Sequence, residues 1–347
     1  MSTVIAVGID IAKVKFDVAV PMGAKSQTGD KSRTGDKSRT GDKSRTGDKW
    51  RNKVFINSAA GFAALVAWLN TLTDSPVHVC MEATGSYFEP LALYLSDAGI
   101  RVSVINPAQI AQFGRAIGER NKTDRQDAKT IARFCQSQVP ILWQAPTPEV
   151  RVLRDLLRRL EALLDLHRQE ANRLAVAGVA TQASIEAVLA VLTEQISTVK
   201  AMIAEHIDRH PGLRQLAELL DSIPGVGEAT IATVLAELPA SVRNDVRKAD
   251  AYSGLAPRRV ESGSSVHGRS MMSKQGSPRL RKALYFPAIV ACQHNPVVKA
   301  FYQRMLQNGL TKKQAVCAAM RKLLHLIIGV LKSGKPFDPS LHNLNIS

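Results

Sequence analysis

Acidic residues are in deficit along this chain. The 30 Asp and Glu stand against 46 Lys and Arg in 347 residues, a formal net charge of +16. Such a chain attracts polyanions at long range and binds them with strong salt dependence. An uninterrupted apolar run of about 18 residues, enough to cross a bilayer, is not found, nor is a signal-peptide pattern. The expectation is therefore a cytoplasmic protein with no membrane partner, and nucleic acid rather than lipid as its polyanion. Cysteine is scarce: Cys80, Cys135, Cys292 and Cys317 are too scattered for a Cys-x-x-Cys zinc site or a disulfide framework. They are expected to be reduced, mostly buried thiols.

The length allows two or three domains with a substantial core. Residues 4–20 predict two short strands around a turn, because 4–9 is nearly all apolar and 16–20 partly alternates. Asp10 falls at the turn-proximal end of the first. A perfect hexapeptide, Thr-Gly-Asp-Lys-Ser-Arg, then starts at Thr28, Thr34 and Thr40 and trails off near Trp50. It offers no apolar side chain to a core, so 25–50 is expected as a solvated, flexible insertion at a hairpin tip. The other reading is a phosphate-binding arm, since each copy carries one net positive charge.

Beyond the repeat, 53–56 predicts a strand, Ser58 the cap of a helix reaching Leu72, and 77–81 a strand ending at Glu82. A helix over 85–98, a strand over 101–105 and a helix opened by Pro107 follow. Alternating strands and helices mark an α/β domain. Thr123 caps a predicted helix over 124–138, which sets Asp124 and Asp127 on one face of its first turn. With Asp10 and Glu82 at strand ends, these carboxylates form the kind of constellation that holds Mg²⁺ for cutting phosphodiesters. Hard divalent cations take oxygen ligands, and a pair of them stabilises entering and leaving oxygens. Capping alone would also explain Asp124 and Asp127, because carboxylates suit a helix N-terminus. The company of Asp10 and Glu82 favours the metal.

Pro140, Pro146 and Pro148 mark a linker. Leu153, Leu157, Leu160 and Leu164, then His167, Ala171 and Leu174, keep the four-three spacing of an apolar seam on a long helix. Ile185, Leu189, Leu192, Ile196, Val199 and Ile203 repeat it, so the two helices pair as a hairpin or with another subunit. Further on, Ile223-Pro224-Gly225-Val226-Gly227 looks like a helix-hairpin-helix element whose Gly225 and Gly227 expose N–H groups to phosphate. A tight glycine turn between packed helices would be spelled the same way. Arg247, Lys248, Arg258, Arg259, Arg269, Lys274, Arg279, Arg281 and Lys282 face only Asp250 and Glu261 within 247–282, which marks a phosphate-contacting surface. Ser262 opens a polar Ser-Gly stretch inside it, a composition that also describes a plain loop. Ser277 with Pro278 starts another helix, and Thr311 caps the apolar helix that runs through Leu331.

Taken together, the chain resembles the Piv/MooV-type DEDD transposases of bacterial insertion sequences. The resemblance is carried by Gly8-Ile9-Asp10, by Met81-Glu82-Ala83-Thr84-Gly85 and by Asn121-Lys122-Thr123-Asp124-Arg125-Gln126-Asp127-Ala128. It continues in the glycine hairpin, in Gly254-Leu255-Ala256-Pro257, in Ser262-Gly263, and in Ser273-Lys274-Gln275-Gly276 followed by Leu280-Arg281. It implies a ribonuclease H-like (RuvC-like) domain over 1–148, a helical coiled-coil spacer over 149–212 and a mainly helical transposase domain over 213–347. The fold class is thus α/β plus all-α. The match makes Asp10, Glu82, Asp124 and Asp127 the acidic residues holding Mg²⁺ and Ser262 the catalytic serine, with Ser264 and Ser265 close enough to exchange roles with it. Lys122 and Arg125 join the basic residues as candidate nucleic-acid contacts.

The activity so implied is strand cleavage and exchange between donor and target DNA through a covalent phosphoserine, in the bacterial cytosol or nucleoid. A non-coding bridge RNA from the same element would guide it, and the protein would act as a homo-oligomer, dimer or tetramer. Three other classes compete. A RuvC-like junction-resolving endonuclease would use the same acids to activate water. An actin-like phosphotransferase also opens with Gly-Ile-Asp, but its later Gly-rich nucleotide segments are not evident here. A non-catalytic nucleic-acid-binding protein would tolerate loss of the acids.

Overall fold

The computed structural model describes residues 4–22, 49–83, 85, 87–119, 123–258, 261–262, 266–267 and 271–341. The hexapeptide copies, Lys122, Arg259, Ser264, Ser265 and Arg269 lie outside these described residues. Two compact units divide the chain, Met1–Ala145 and Pro146–Ser347.

The first unit is α/β. Its elements are β1 (Ile5–Ile11), β2 (Lys15–Pro21), β3 (Trp50–Ile56), α1 (Ala59–Leu72), β4 (Val77–Glu82), α2 (Glu89–Asp97), β5 (Arg101–Ile105), α3 (Pro107–Ala116) and α4 (Asp124–Gln138). One mixed sheet runs in the order β3-β2-β1-β4-β5. β1, β2 and β3 pair antiparallel, while β4 lies parallel to both β1 and β5. β1 and β4 are almost wholly apolar because both faces of the sheet are covered. Val7, Ile9, Val79 and Met81 pack with α1 and α2 on one face; Ala6, Cys80 and Ile105 pack with α3 and α4 on the other.

Local chemistry sets the helix starts. Side chains of Ser58, Asn106 and Thr123 accept from the amides of Gly61, Ala108 and Gln126 at 3.4, 2.9 and 3.2 Å. α2 begins at Glu89 and not at the expected Gly85. Pro90 explains the difference: it lacks an N–H and crowds the preceding turn, so a helix accepts it only in its first turn.

The second unit is mainly helical. α5 (Pro148–Leu174), α6 (Val179–Arg209), α7 (Pro211–Asp221), α8 (Glu228–Glu237) and α9 (Val246–Ser253) lead to four two-residue strands. These are β6 (Pro257–Arg258), β7 (Glu261–Ser262), β8 (Val266–His267) and β9 (Met271–Met272). α10 (Pro278–Ala283), α11 (Tyr285–His294), α12 (Pro296–Gln307) and α13 (Lys312–Ser333) complete the unit. Pro148, expected in the linker, is the first residue of α5, the one helical position where its missing N–H costs nothing.

α5 and α6 pair within the chain, and Leu153, Leu163, Val199, Ile203 and Ile207 share one core with the helices that follow. The buried stripe departs from the expected seam: Leu163 is 2% exposed and Leu164 is 44% exposed. α6 and α13 are each long and apolar enough to cross a membrane, by length and composition. Reading uninterrupted apolar runs missed them because charges are interspersed. α13 buries Leu323, Leu324, Ile327 and Ile328 in the core, as a central helix does.

Two close contacts bind these units internally. A Cβ on Gly8 would lie 2.0 Å from the Ala128 carbonyl oxygen and 2.3 Å from the Ala132 nitrogen, so α4 rests backbone-on-backbone against β1. In the second unit Asp250 is 2% exposed and accepts from Arg321 Nε at 2.7 Å and His325 Nε2 at 2.9 Å, joining α9 to α13. Gly8→Val is expected to lower stability by about 3 kcal/mol or more, because neither backbone can yield to a side chain there. Asp250→Ala is expected to lose about 1–2 kcal/mol by removing the acceptor that joins Arg321 and His325 to α9. Urea unfolding followed by circular dichroism checks both, and shifts within about 0.5 kcal/mol of wild type would contradict them.

Candidate active site

Strand register places two of the acids. Gly8 lies opposite Cys80 and Ile9 opposite Met81 in the parallel pair, so Asp10 and Glu82 come next at adjacent C-terminal strand ends. Side-chain alternation puts both on the α4 face. In open α/β sheets ligands bind outside such strand ends.

α4 brings the other two. Ala128 and Ala132 sit over Gly8, and the Cys135 thiol donates to the His78 carbonyl at 3.5 Å, so the helix runs along β1 and β4. Its first turn therefore falls beside Asp10. The electrostatics record that convergence: the Asp10 carboxyl is pushed up to about 6 by burial, then by the negative charges of Asp127, Asp124 and Asp17. A hydrogen bond from the Ile11 amide opposes the rise in part.

Asp17 and Lys15 were not singled out in the sequence. Asp17 is the register partner of Asp10 across the β1–β2 pair, and its side chain is 13% exposed. Lys15 Nζ lies 3.0 Å from Asp124 Oδ2 and 3.5 Å from Asp17 Oδ2, a counter-charge across the cluster, and those carboxylates raise its own pKa. Counting outward from the β1–β2 turn finds both residues, because antiparallel partners share a face.

No three acidic side chains among the described residues bring their oxygens within 4.8 Å of one another. The donor set still fits a hard divalent cation. It consists of carboxylate oxygens, burial and then the neighbouring negative charges keep Asp10 hard to ionise, and Lys15 already supplies part of the missing positive charge.

Ser262 lies in the second unit. It ends β7 and pairs with Val266 of β8, inside an outer pair made by β6 and β9. The expected Ser-Gly loop therefore has strand pairing at its base. The remaining candidates differ in surroundings. Arg125 and Lys274 are exposed, and Lys274 takes a left-handed φ of 56°. Arg258 falls on β6. Arg279 instead faces Glu161 and Glu237 at 3.5 and 3.8 Å, and Arg281 Nη1 donates to the carbonyls of Ser253 and Lys274 at 3.1 and 3.4 Å.

The glycine hairpin joins α7 to α8. Gly225 has φ 98° and presses on α11, where a Cβ would stand 2.9 Å from the Ala291 nitrogen. Buried Asn295 donates to the Pro224 carbonyl at 3.3 Å. Gly227, the residue before α8, has nothing within 4 Å of a built Cβ, which leaves that side of the turn open.

The family model described as the transposase IS116/IS110/IS902 family matches residues 217–303, and a transposase model for the IS110 DEDD type matches residues 43–177. The first spans Ser262 and the glycine hairpin; the second spans Glu82, Asp124 and Asp127 and begins after Asp10. The chain is 33% identical over 297 residues to the pilin gene-inverting proteins of Moraxella bovis and Moraxella lacunata, covering 84% of this chain and 92% of each relative. It is 28% identical over 156 residues to the 43.6 kDa protein of insertion element IS110 from Streptomyces coelicolor, covering 45% of this chain and 37% of that one.

The raised Asp10 fixes a pH dependence. Its folded pKa of about 6 exceeds the ordinary 3.8, so the folded state favours the proton and this group's contribution is lost as pH rises through 6. In chelator, Asp10→Asn is expected to be more stable than wild type at pH 7, by about 1 kcal/mol after solvent screening, or roughly 4 °C. The gap should close toward pH 4. Thermal melts at both pH values check this, and a pH-independent gap would contradict it.

Proposed function

The chain belongs to the IS110-type DEDD transposase family and is a DNA transposase or recombinase, and on that premise we propose that Asp10, Glu82, Asp124, Asp127 and Ser262 act together on one phosphodiester. The observation that carries the reading is the shared field of Asp10, Asp127 and Asp124 at the strand ends. The mixed sheet, with a three-stranded meander continued by two parallel strands, supports a ribonuclease H-like (RuvC-like) assignment for the first unit.

The four carboxylates would hold divalent metal, Mg²⁺ by preference for hard oxygen ligands. When bound, the metal polarises the scissile phosphate and offsets its growing negative charge. The protein's own groups divide the rest. The acidic site as a whole would activate Ser262, whose hydroxyl proton passes to a carboxylate oxygen the metal does not hold or to solvent. Ser262 Oγ then bonds to phosphorus as the bond to the departing sugar oxygen breaks, leaving a phosphoserine diester. An incoming sugar hydroxyl reverses the step on a new strand, so the bond energy is kept for rejoining. This chemistry requires Ser262 and the acids to meet on one phosphate, supplied by one subunit or by two of a homo-oligomer.

The net charge of +16 supports the binding of two polyanions, DNA and a bridge RNA whose pairing selects donor and target sites. Gly227, Arg125 and Lys274 are exposed groups fit to contact phosphates. The names of the Moraxella relatives describe gene inversion, a strand exchange, which favours recombination over simple hydrolysis.

With Mg²⁺, copurified RNA and plasmid carrying the flanks of its gene, wild type is expected to form a protein–DNA adduct that survives denaturation. Ser262→Ala and Asp127→Asn should each reduce adduct and cleavage by about 100-fold or more, with RNA binding retained. Normal cleavage by Ser262→Ala would overturn the serine step and leave a metal-activated-water nuclease.

A further inference from the structure

Three buried side chains with soft or borderline ligand atoms meet on the α4 face, two helical turns from the acidic first turn. His78 and Cys80 alternate onto the same side of β4, and Cys135 reaches them from α4. One ligand atom from each lies within 4.8 Å of the others, and all three residues are buried. Cys80 Sγ is 4.0 Å from His78 Nε2, and the Cys135 thiol donates to the His78 carbonyl at 3.5 Å. Ser103 Oγ, on β5, accepts from His78 Nε2 at 2.8 Å and itself donates toward the carbonyls of Pro140 and Ile141. Ile105, Ile131 and Phe134 belong to the same apolar cluster.

We propose that His78, Cys80 and Cys135 bind one soft divalent cation of the Zn²⁺ class. Binding releases two thiol protons to solvent and shifts the His78 ring proton from Nε2 to Nδ1, so that Nε2 can ligate; two thiolates and a neutral imidazole then surround a doubly charged ion. That set has no net charge, which a dry site tolerates. The centre of a triangle with sides up to 4.8 Å lies within about 2.8 Å of each corner, so small side-chain shifts reach Zn–S of about 2.3 Å and Zn–N of about 2.0 Å. Ser103 Oγ is the oxygen at hand to complete a tetrahedron.

Thiolates select Zn²⁺ and carboxylates Mg²⁺, so the two ions sort to opposite ends of α4. The soft ion clamps β4 to α4, the elements that carry Glu82 and Asp127. The site uses none of the four carboxylates as a ligand and does not depend on how they are used.

The test uses the full chain, reduced and stripped by chelator, with Co²⁺ as the probe. A sulfur-to-cobalt charge-transfer band is expected in the near ultraviolet, saturating at about one Co²⁺ per chain. Zn²⁺ should bleach it, excess Mg²⁺ should not, and Asp127→Asn should keep it. Cys135→Ala should lose it. A Co²⁺ spectrum with only weak octahedral bands would overturn the proposal, as would a band that persists in Cys135→Ala. Should that variant fail to fold, X-ray absorption of Zn²⁺-loaded wild type decides: two sulfur neighbours support the site, and oxygen and nitrogen neighbours alone refute it.

Discussion

Helix α4 lies against strand β1 with no side chain between their backbones, and the acidic site depends on that contact. Gly8 allows it from the strand side, and Ala128 and Ala132 allow it from the helix side. Any larger residue would lift the helix and carry Asp124 and Asp127 away from Asp10. Because the same helix continues over β4, the approach that builds the carboxylate cluster also brings Cys135 onto His78 and Cys80. One packing decision thus positions carboxylates at one end of α4 and the His78, Cys80 and Cys135 side chains further along it.

The cluster is held at an electrostatic disadvantage. Asp10 is partly buried within the fields of Asp127, Asp124 and Asp17, and the folded state shows it in a raised Asp10 pKa and in the Lys15 counter-charge. A well-packed core compensates below the site, where Val7, Ile9, Val79 and Met81 are fully buried. Strain of this kind at strand ends is expected of a site whose stability is completed by a ligand. In the second unit the opposite solution appears: Asp250 is buried with two partners and serves to join helices.

Much of this was legible in the sequence because it rests on local rules. Thr123, Ser58 and Thr311 announced their helices through capping, and the alternation of strands with helices announced an α/β domain. Asp10, Asp124 and Asp127 could be grouped because each ends or begins such an element. What escaped reading was set by register and approach. Asp17 and Lys15 enter the site through antiparallel pairing, and Cys80 and Cys135 meet across a helix–strand contact that spacing along the chain does not encode. Arg279 and Arg281 looked like phosphate ligands by composition, yet their partners are Glu161, Glu237 and backbone carbonyls, which only the packing of α10 reveals. Leu163 replaced Leu164 in the buried stripe because the α5–α6 pair joins a larger core than a two-helix seam.

The central claim is that Asp10 and Asp127 share a divalent cation at the C-terminal ends of β1 and β4. Anomalous diffraction from crystals of the full chain soaked in Mn²⁺ tests it most directly. The account predicts a manganese peak in contact with oxygens of both Asp10 and Asp127. Full manganese occupancy elsewhere, with those two carboxylates bound only to protein groups, would contradict it.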